Sequence, residues 1–192
     1  EFIATRLGWL NEQNDVVSVR PINSAYMPRS GDLIVGVVAE VRNNLWFFDV
    51  NGPFQALLPM SLAPWKVEFG STRQHLGIGD AALARVQEVD EAHNIVLTMK
   101  GIGLRRLNEG CVIAIPVNLI DTLRGENNSM VSRIRDLSDC RIIVADNGRV
   151  WVHGDADNMF TVRGLIQTLV DEGHMNNFEN AVHALEQQRD EN

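Results

Sequence analysis

The sequence predicts an α+β multidomain chain: the end of a partial N-terminal β domain, then a five-stranded β-barrel, then an α/β domain. Three observations predict it. Short apolar runs with period-two alternation, separated by Gly, Asn and Asp, fill the stretch from Gly31 to Lys100. Beyond Gly101-Ile102-Gly103 the pattern changes to strands interleaved with stretches of helical period. The 192 residues, 45% hydrophobic and 22% charged, suffice for one to three small domains with their own cores.

Residues 1–29 read as the end of the first β domain, with Val16-Val17-Ser18-Val19 as a strand and Pro21 and Pro28 as punctuation. Residues 30–100 form the barrel. Its strands are Asp32 to Val41, Leu45 to Val50, Phe54 to Leu58, Ala81 to Val89 and Asn94 to Lys100. Asn43-Asn44 turns the first pair, and a long connection rich in Pro, Gly and Ser runs from Pro59 to Gly79. Five strands in so short a span, with Gly at the bends, fit a closed barrel of the OB type. Residues 101–192 form the third unit, entered through the Gly101–Gly103 hinge. Val112 to Val117 is a strand and Asn118 to Leu123 a short helical turn. Gly125-Glu126-Asn127-Asn128 is a tight loop. Ser129 caps a helix carrying Met130, Ile134 and Leu137. Arg141 to Ala145 and Arg149 to His153 make a hairpin around Asp146-Asn147-Gly148. Asp155 caps a helix that Gly173 ends, and a last amphipathic helix carries Phe178, Ala181, Val182 and Leu185.

Bulk properties narrow the function classes. No apolar run approaches the ~20 residues of a membrane span. The opening, Glu1-Phe2-Ile3-Ala4-Thr5-Arg6, lacks the pattern of a secretory leader and has no initiator Met, so the chain is expected to begin inside a longer one. Cys111 and Cys140 lie in apolar strand contexts and read as two buried thiols in a reducing cell, which makes the cytoplasm the expected location. The net charge of −8 argues at first against a nucleic-acid partner. Its distribution softens this: 8 basic and 8 acidic residues fall between Gly101 and Leu165, but 1 basic and 6 acidic residues between Ile166 and Asn192. Local patches set the field that a phosphate feels. Lys66 and Lys100 are the only lysines beside 15 arginines, and Arg suits bidentate phosphate contacts and base stacking.

A resemblance to known families adds to this reading. Gly31-Asp32 with Gly36 in the first barrel strand, Leu57-Leu58-Pro59-Met60-Ser61, Gly77-Ile78-Gly79-Asp80 and Leu97-Thr98-Met99-Lys100 resemble the RNA-binding OB domain named after ribosomal protein S-one. The second half resembles a KH-type domain of β-α-α-β-β-α order. Thr98 to Leu104, Asn147-Gly148-Arg149-Val150-Trp151-Val152 and Val16 to Pro21, taken in order, resemble the RNA-binding cap subunit of the archaeal RNA exosome, in the class called ribosomal RNA-processing protein four. The resemblance covers nearly the whole chain. It implies a non-catalytic subunit, three copies of which cap a hexameric ring of ribonuclease-PH-like subunits that degrades RNA from the 3′ end by phosphorolysis. It also implies single-stranded RNA as the ligand, fed to the ring's pore, and no cofactor or metal.

Four sets of residues are candidates for RNA contact. Trp46, Phe47 and Phe48 are consecutive on a strand, so they cannot all point inward. Phe47, near the position of the base-stacking aromatic in related barrels, either stacks a base or packs against another domain. Trp65, Lys66, Arg73 and His75 lie in the long connection, where they either line a pore and touch phosphates or face solvent or a partner. In the KH loop Asn128 replaces the second Gly of the usual Gly-x-x-Gly clamp, and Glu126 repels phosphate. Arg124 and the amides at the Ser129 helix start remain candidates there. Arg105 and Arg106, just past the hinge, either bridge phosphates or pair with Glu109 or with an acidic ring subunit. Arg149, in the hairpin turn, is open in the same way.

Enzymatic readings find little footing. The histidines at 75, 93, 153, 174 and 183 have no zinc-helix spacing, the Gly-x-Gly pieces complete no dinucleotide fingerprint, and no P-loop occurs. Asp155-Ala156-Asp157 reads as a helix cap rather than a metal pair. Two functions stand against each other: an RNA-delivering cap, and a structural clamp on the ring with little RNA affinity of its own. A transcription or translation factor of similar build fits less well, since such factors carry two KH domains in tandem.

Overall fold

In the computed structural model, which describes residues 8–13, 16–21, 25–172 and 175–190, the first described elements are β1 (Gly8–Gln13) and β2 (Val16–Pro21), paired antiparallel. The expected strand at Val16–Val19 is therefore present. Gly173, expected to end a helix, lies outside the described residues.

The barrel follows. Its strands are β3 (Leu33–Val41), β4 (Leu45–Asp49), β5 (Ala56–Pro59), β6 (Ala81–Val89) and β7 (Ile95–Thr98). They hydrogen-bond in the order β3-β4-β5-β7-β6, and β6 pairs back onto β3, so the sheet closes. All pairings are antiparallel except β5 with β7. That order and that single parallel pair make it an OB barrel. Closure requires strong coiling, and the register slips at Val38/Glu40 and at Val86/Glu88 supply it. Alternation puts Trp46 and Phe48 of β4 wholly inside, with Ile34, Val38, Leu58, Ile95 and Leu97. Burying each such aromatic contributes about 3 kcal/mol. Gly36 has no side chain because the Phe48 ring fills its place: a Cβ there would lie 2.8 Å from Phe48 Cδ1.

The connection from β5 to β6 is more ordered than the sequence suggests. It holds a short 3-10 turn (Met60–Leu62) and one turn of helix, α1 (Thr72–His75). Leu76 is fully buried and its carbonyl accepts the Trp46 indole N–H at 3.1 Å. The loop is thus pinned to the barrel core and carries its polar side chains on a fixed support.

One further strand, β8 (Arg105–Leu107), comes after the Gly101–Gly103 turn and pairs with β6. The polypeptide therefore stays in the barrel sheet to Leu107 instead of leaving it at the glycines. Three residues are too few for alternation to reveal a strand.

The third unit has β9 (Cys111–Ala114), α2 (Ile120–Arg124), α3 (Ser129–Ser138), β10 (Arg141–Val144), β11 (Arg149–His153), α4 (Ala156–Glu172) and α5 (Met175–Asp190). The sheet order β10-β11-β9 is antiparallel throughout and one face is covered by the helices, a KH-type arrangement. Val150 and Val152 face the helical core with Ile134, Leu165, Ile166 and Leu169. Phe178 and Val182 dock α5 onto that core, and Arg133 of α3 forks onto Glu186 of α5. Asp155 caps α4 as expected: its Oδ1 accepts the Asp157 N–H. Ser129 is not the cap of α3. It is already helical, and Asn128 occupies the cap position in a left-handed conformation with no side-chain capping bond.

The barrel and the KH-type unit are joined by the β10–β11 turn. β4 pairs with β3 only from Val37 onward, which leaves one edge of Leu33 to Val35 open. Asp146 and Asn147 take the place of the missing strand. The Asp146 N–H donates to Leu33 O at 2.8 Å, and Asp146 Oδ2 accepts the Leu33 N–H at 2.7 Å. The Asn147 amide, 0% exposed, donates to Val35 O and Val50 O at 2.9 Å each and accepts the Val35 N–H. Gly148 is required by its positive φ and by closeness to Ile115, whose carbonyl would lie 2.5 Å from a Cβ. Arg149, 8% exposed, donates to Asp49 O and pairs with Asp49 Oδ2 at 2.7 Å. Val35, Leu83, Leu107, Ala145 and Trp151 seal the junction with apolar contact.

Asp49 makes this junction acid-sensitive. Burial works to raise its carboxyl, but the Asn51 backbone N–H and the Arg149 guanidinium outweigh that and hold it below the ordinary aspartate value of 3.8. A depressed folded-state value adds stability that is full above the ordinary range and is lost as the pH falls through the lower folded value. Thermal unfolding followed from about pH 6 to about pH 2 should show a loss of melting temperature that is smaller in Asp49→Asn, which has no carboxyl to titrate.

Candidate nucleic-acid interface

Strand alternation decides the aromatic triplet. Trp46 and Phe48 are core, and Phe47 stands on the outer face, half-exposed. The Arg42 guanidinium lies over its ring at 4.7 Å and is held there by an ion pair with Glu40 at 2.8 Å. No local pattern marks this lid, because Arg42 lies in the turn and reaches back over its own hairpin.

The long connection presents exposed cations. Lys66 and Arg73 are exposed and have no carboxylate partner among the described residues. Trp65 and His75 stack on each other at 5.3 Å, which stiffens the loop's base. Beside them Phe69 and Ile78 project into solvent, 73% and 66% exposed. Cations and bare apolar side chains on a fixed support suit a surface that touches something else.

The KH loop is a poor anion site. Asn127 and Asn128 both adopt left-handed backbone, so the turn survives the loss of glycine. The groove beside it, about 650 Å³, is lined by Asp121, Glu126 and Asp146 against the single cation Arg124. Arg124 is engaged: its Nη2 donates to Val144 O at 2.8 Å and to Asp146 Oδ1 at 2.7 Å. Ser129 is exposed at the helix start, next to Glu126.

Two more candidates have structural partners instead of open faces. Arg149 is not a solvated turn residue; it is buried in the junction with Asp49 and cannot reach RNA without opening it. Arg106 pairs with Asp80 at 2.9 Å, not with Glu109, and its Nη1 also donates to His75 O. It ties β8 to the end of the long connection.

Arg105 differs from its neighbour. It is exposed, lies over the Trp151 ring at 5.8 Å and hydrogen-bonds only to Gly103 O among the described residues. The candidates left with open faces are thus Phe47 with Arg42, Lys66 and Arg73, and Arg105. Arg106 and Arg149 serve the fold, while Arg124 lies in an acidic groove. Among the described residues no group of three His, Cys, Asp or Glu is placed to hold a metal ion. No described helix is long and apolar enough to cross a membrane.

No family model matches the chain. The exosome complex component Rrp4 of Picrophilus torridus is 30% identical over 174 residues, which cover 91% of this chain and 76% of that one. The protein of the same name from Thermoplasma acidophilum is 31% identical over 167 residues, 87% of this chain and 71% of the relative. A crystal structure described as a candidate exosome complex RNA-binding protein superposes with a TM-score of 0.77 at 25% identity, over 86% of this chain and 98% of that one.

Proposed function

Because the chain belongs to the Rrp4 family of exosome complex components, we propose that it is an RNA-binding accessory subunit of such a complex. In this reading it recruits single-stranded RNA to the pore of a phosphorolytic 3′–5′ ribonuclease ring built of ribonuclease-PH-like subunits. Three copies sit on a hexameric ring, and the subunit contributes binding and no catalytic group. Residues 30–100 and 101–192 act as the two RNA-facing units, with β8 bridging them.

The observation that carries the reading is the set of exposed cations, Lys66, Arg73 and Arg105, that have no carboxylate partner among the described residues and stand on supports fixed to the barrel. Such cations contact phosphates whatever the base sequence, and the half-exposed Phe47 offers a face for stacking. These properties suit a subunit that handles many RNAs.

A second reading, a structural clamp, is favoured by the acidic KH groove and by the commitment of Arg106, Arg124 and Arg149 to internal partners. The two readings differ in what the subunit adds to the ring. Single-stranded RNA binding should be measured for the ring subunits alone and for the ring assembled with this chain. The cap reading expects tighter, salt-sensitive binding in the full assembly. A ring that is stabilised against heat, but whose RNA affinity is unchanged, would favour the clamp.

A further inference from the structure

The open face of the KH-type sheet continues past the domain junction. Arg149, Trp151 and His153 alternate along β11 on the face away from the helices, and Arg141 of β10 pairs across from His153. Arg149 and Trp151 are used up against the barrel. Arg141 and His153 extend beyond it, and there β8 brings Arg105 alongside. The result is a cleft of about 320 Å³ between the barrel edge and the sheet, lined by Arg105, Asn108, Glu109, Arg141, Trp151 and His153.

We infer that this cleft is a phosphodiester site for single-stranded RNA, separate from the KH loop. The inference rests on the RNA-binding reading and names one of its contact points. Charge is the first reason. Arg106, Arg124, Arg133 and Arg149 each meet a carboxylate, whereas Arg105 and Arg141, both exposed, meet none among the described residues. Two guanidiniums left unneutralised in one concavity define where an anion gains most.

Preorganisation is the second reason. The Arg105 guanidinium lies over Trp151, and Trp151 stacks on His153 at 5.5 Å with the rings 7° from parallel. The indole is itself held by its N–H bond to Glu109 O at 2.8 Å. A cation stacked on a fixed ring loses less freedom on binding than one on a free side chain. Asn108 adds an exposed amide. The opposing charge is Glu109, whose carboxylate stands at the rim, 80% exposed and 4.0 Å from His153 Nδ1. It is exposed enough to be screened and to swing clear.

The test uses the full chain assembled with its ring subunits and a fluorescent single-stranded RNA. Arg105→Ala and Arg141→Ala should each weaken binding about fivefold and lower the slope of log affinity against log salt by about 0.7. Arg141→Lys should retain most of the affinity, because it keeps the charge, and Glu109→Gln should tighten binding. Circular dichroism of each variant should match the parent, since both arginines are exposed. Salt-sensitive RNA binding by the parent with both alanine variants unchanged would overturn the cleft while leaving the RNA-binding reading intact. Arg141→Ala that loses ring subunits but keeps RNA would also overturn it, by making the cleft a protein-docking surface. Absence of RNA binding by the parent assembly would remove the reading itself and the cleft with it.

Discussion

Asn147→Asp is expected to lower the unfolding free energy by about 3–5 kcal/mol, although it changes one heavy atom in size by almost nothing. The Asn147 amide nitrogen donates to two backbone carbonyls, Val35 O and Val50 O, in a site with 0% exposure. A carboxylate there would aim lone pairs at both carbonyls, far from water. A protonated acid could satisfy only one of them. Asn147→Ala should cost less, about 2–3 kcal/mol, since it leaves backbone groups unpaired without adding a charge. Urea unfolding of the three proteins measures both differences. An aspartate variant within about 1 kcal/mol of the parent would mean that the turn does not hold the barrel to the KH-type unit.

The second large effect is on RNA. Lys66→Glu combined with Arg73→Glu should weaken single-stranded RNA binding about 30-fold at low salt and reduce the salt slope by about 1.4, the share of two phosphate contacts. Both side chains are exposed on a connection anchored by Leu76 and Thr72, so the fold should be unaffected. Unchanged affinity in this double variant would take the long connection out of the RNA path. Comparison with Arg105→Ala and Arg141→Ala then separates the loop from the cleft.

The barrel was legible in the sequence because a closed sheet imposes period two on each strand, and the strand assignments from Leu33 to Thr98 differ from the structure by only a few residues at their ends. The helices of the third unit were legible for a like reason. What the sequence concealed is pairing at a distance. Arg106, Arg124 and Arg149 look as free as Arg105 in one dimension, yet their acid partners lie 26, 22 and 100 residues away. No local pattern marks such partners. The same holds for Asn147, which reads as an ordinary turn residue until the open edge of β3 is placed beside it. Arg141 and His153 were overlooked although a signal existed: the alternation of Arg149, Trp151 and His153 puts all three on one face of β11. The doubt about the KH loop was readable from Glu126 alone. The acidic groove deepens it, with Asp121 and Asp146 arriving from elsewhere in the chain.

Changing Arg105 and Arg106 together would confuse two roles, because Arg106→Glu sets a carboxylate against Asp80, 2.9 Å from the present guanidinium. Arg105 alone reports on RNA.

The most direct test of RNA recognition by this subunit is the affinity of the isolated chain for a fluorescent single-stranded RNA at about 50 mM and about 200 mM salt. Direct recognition through Lys66, Arg73, Arg105 and Arg141 predicts measurable binding at the lower salt that falls by at least tenfold at the higher. Binding that appears only after ring subunits are added, or that does not respond to salt, would contradict it.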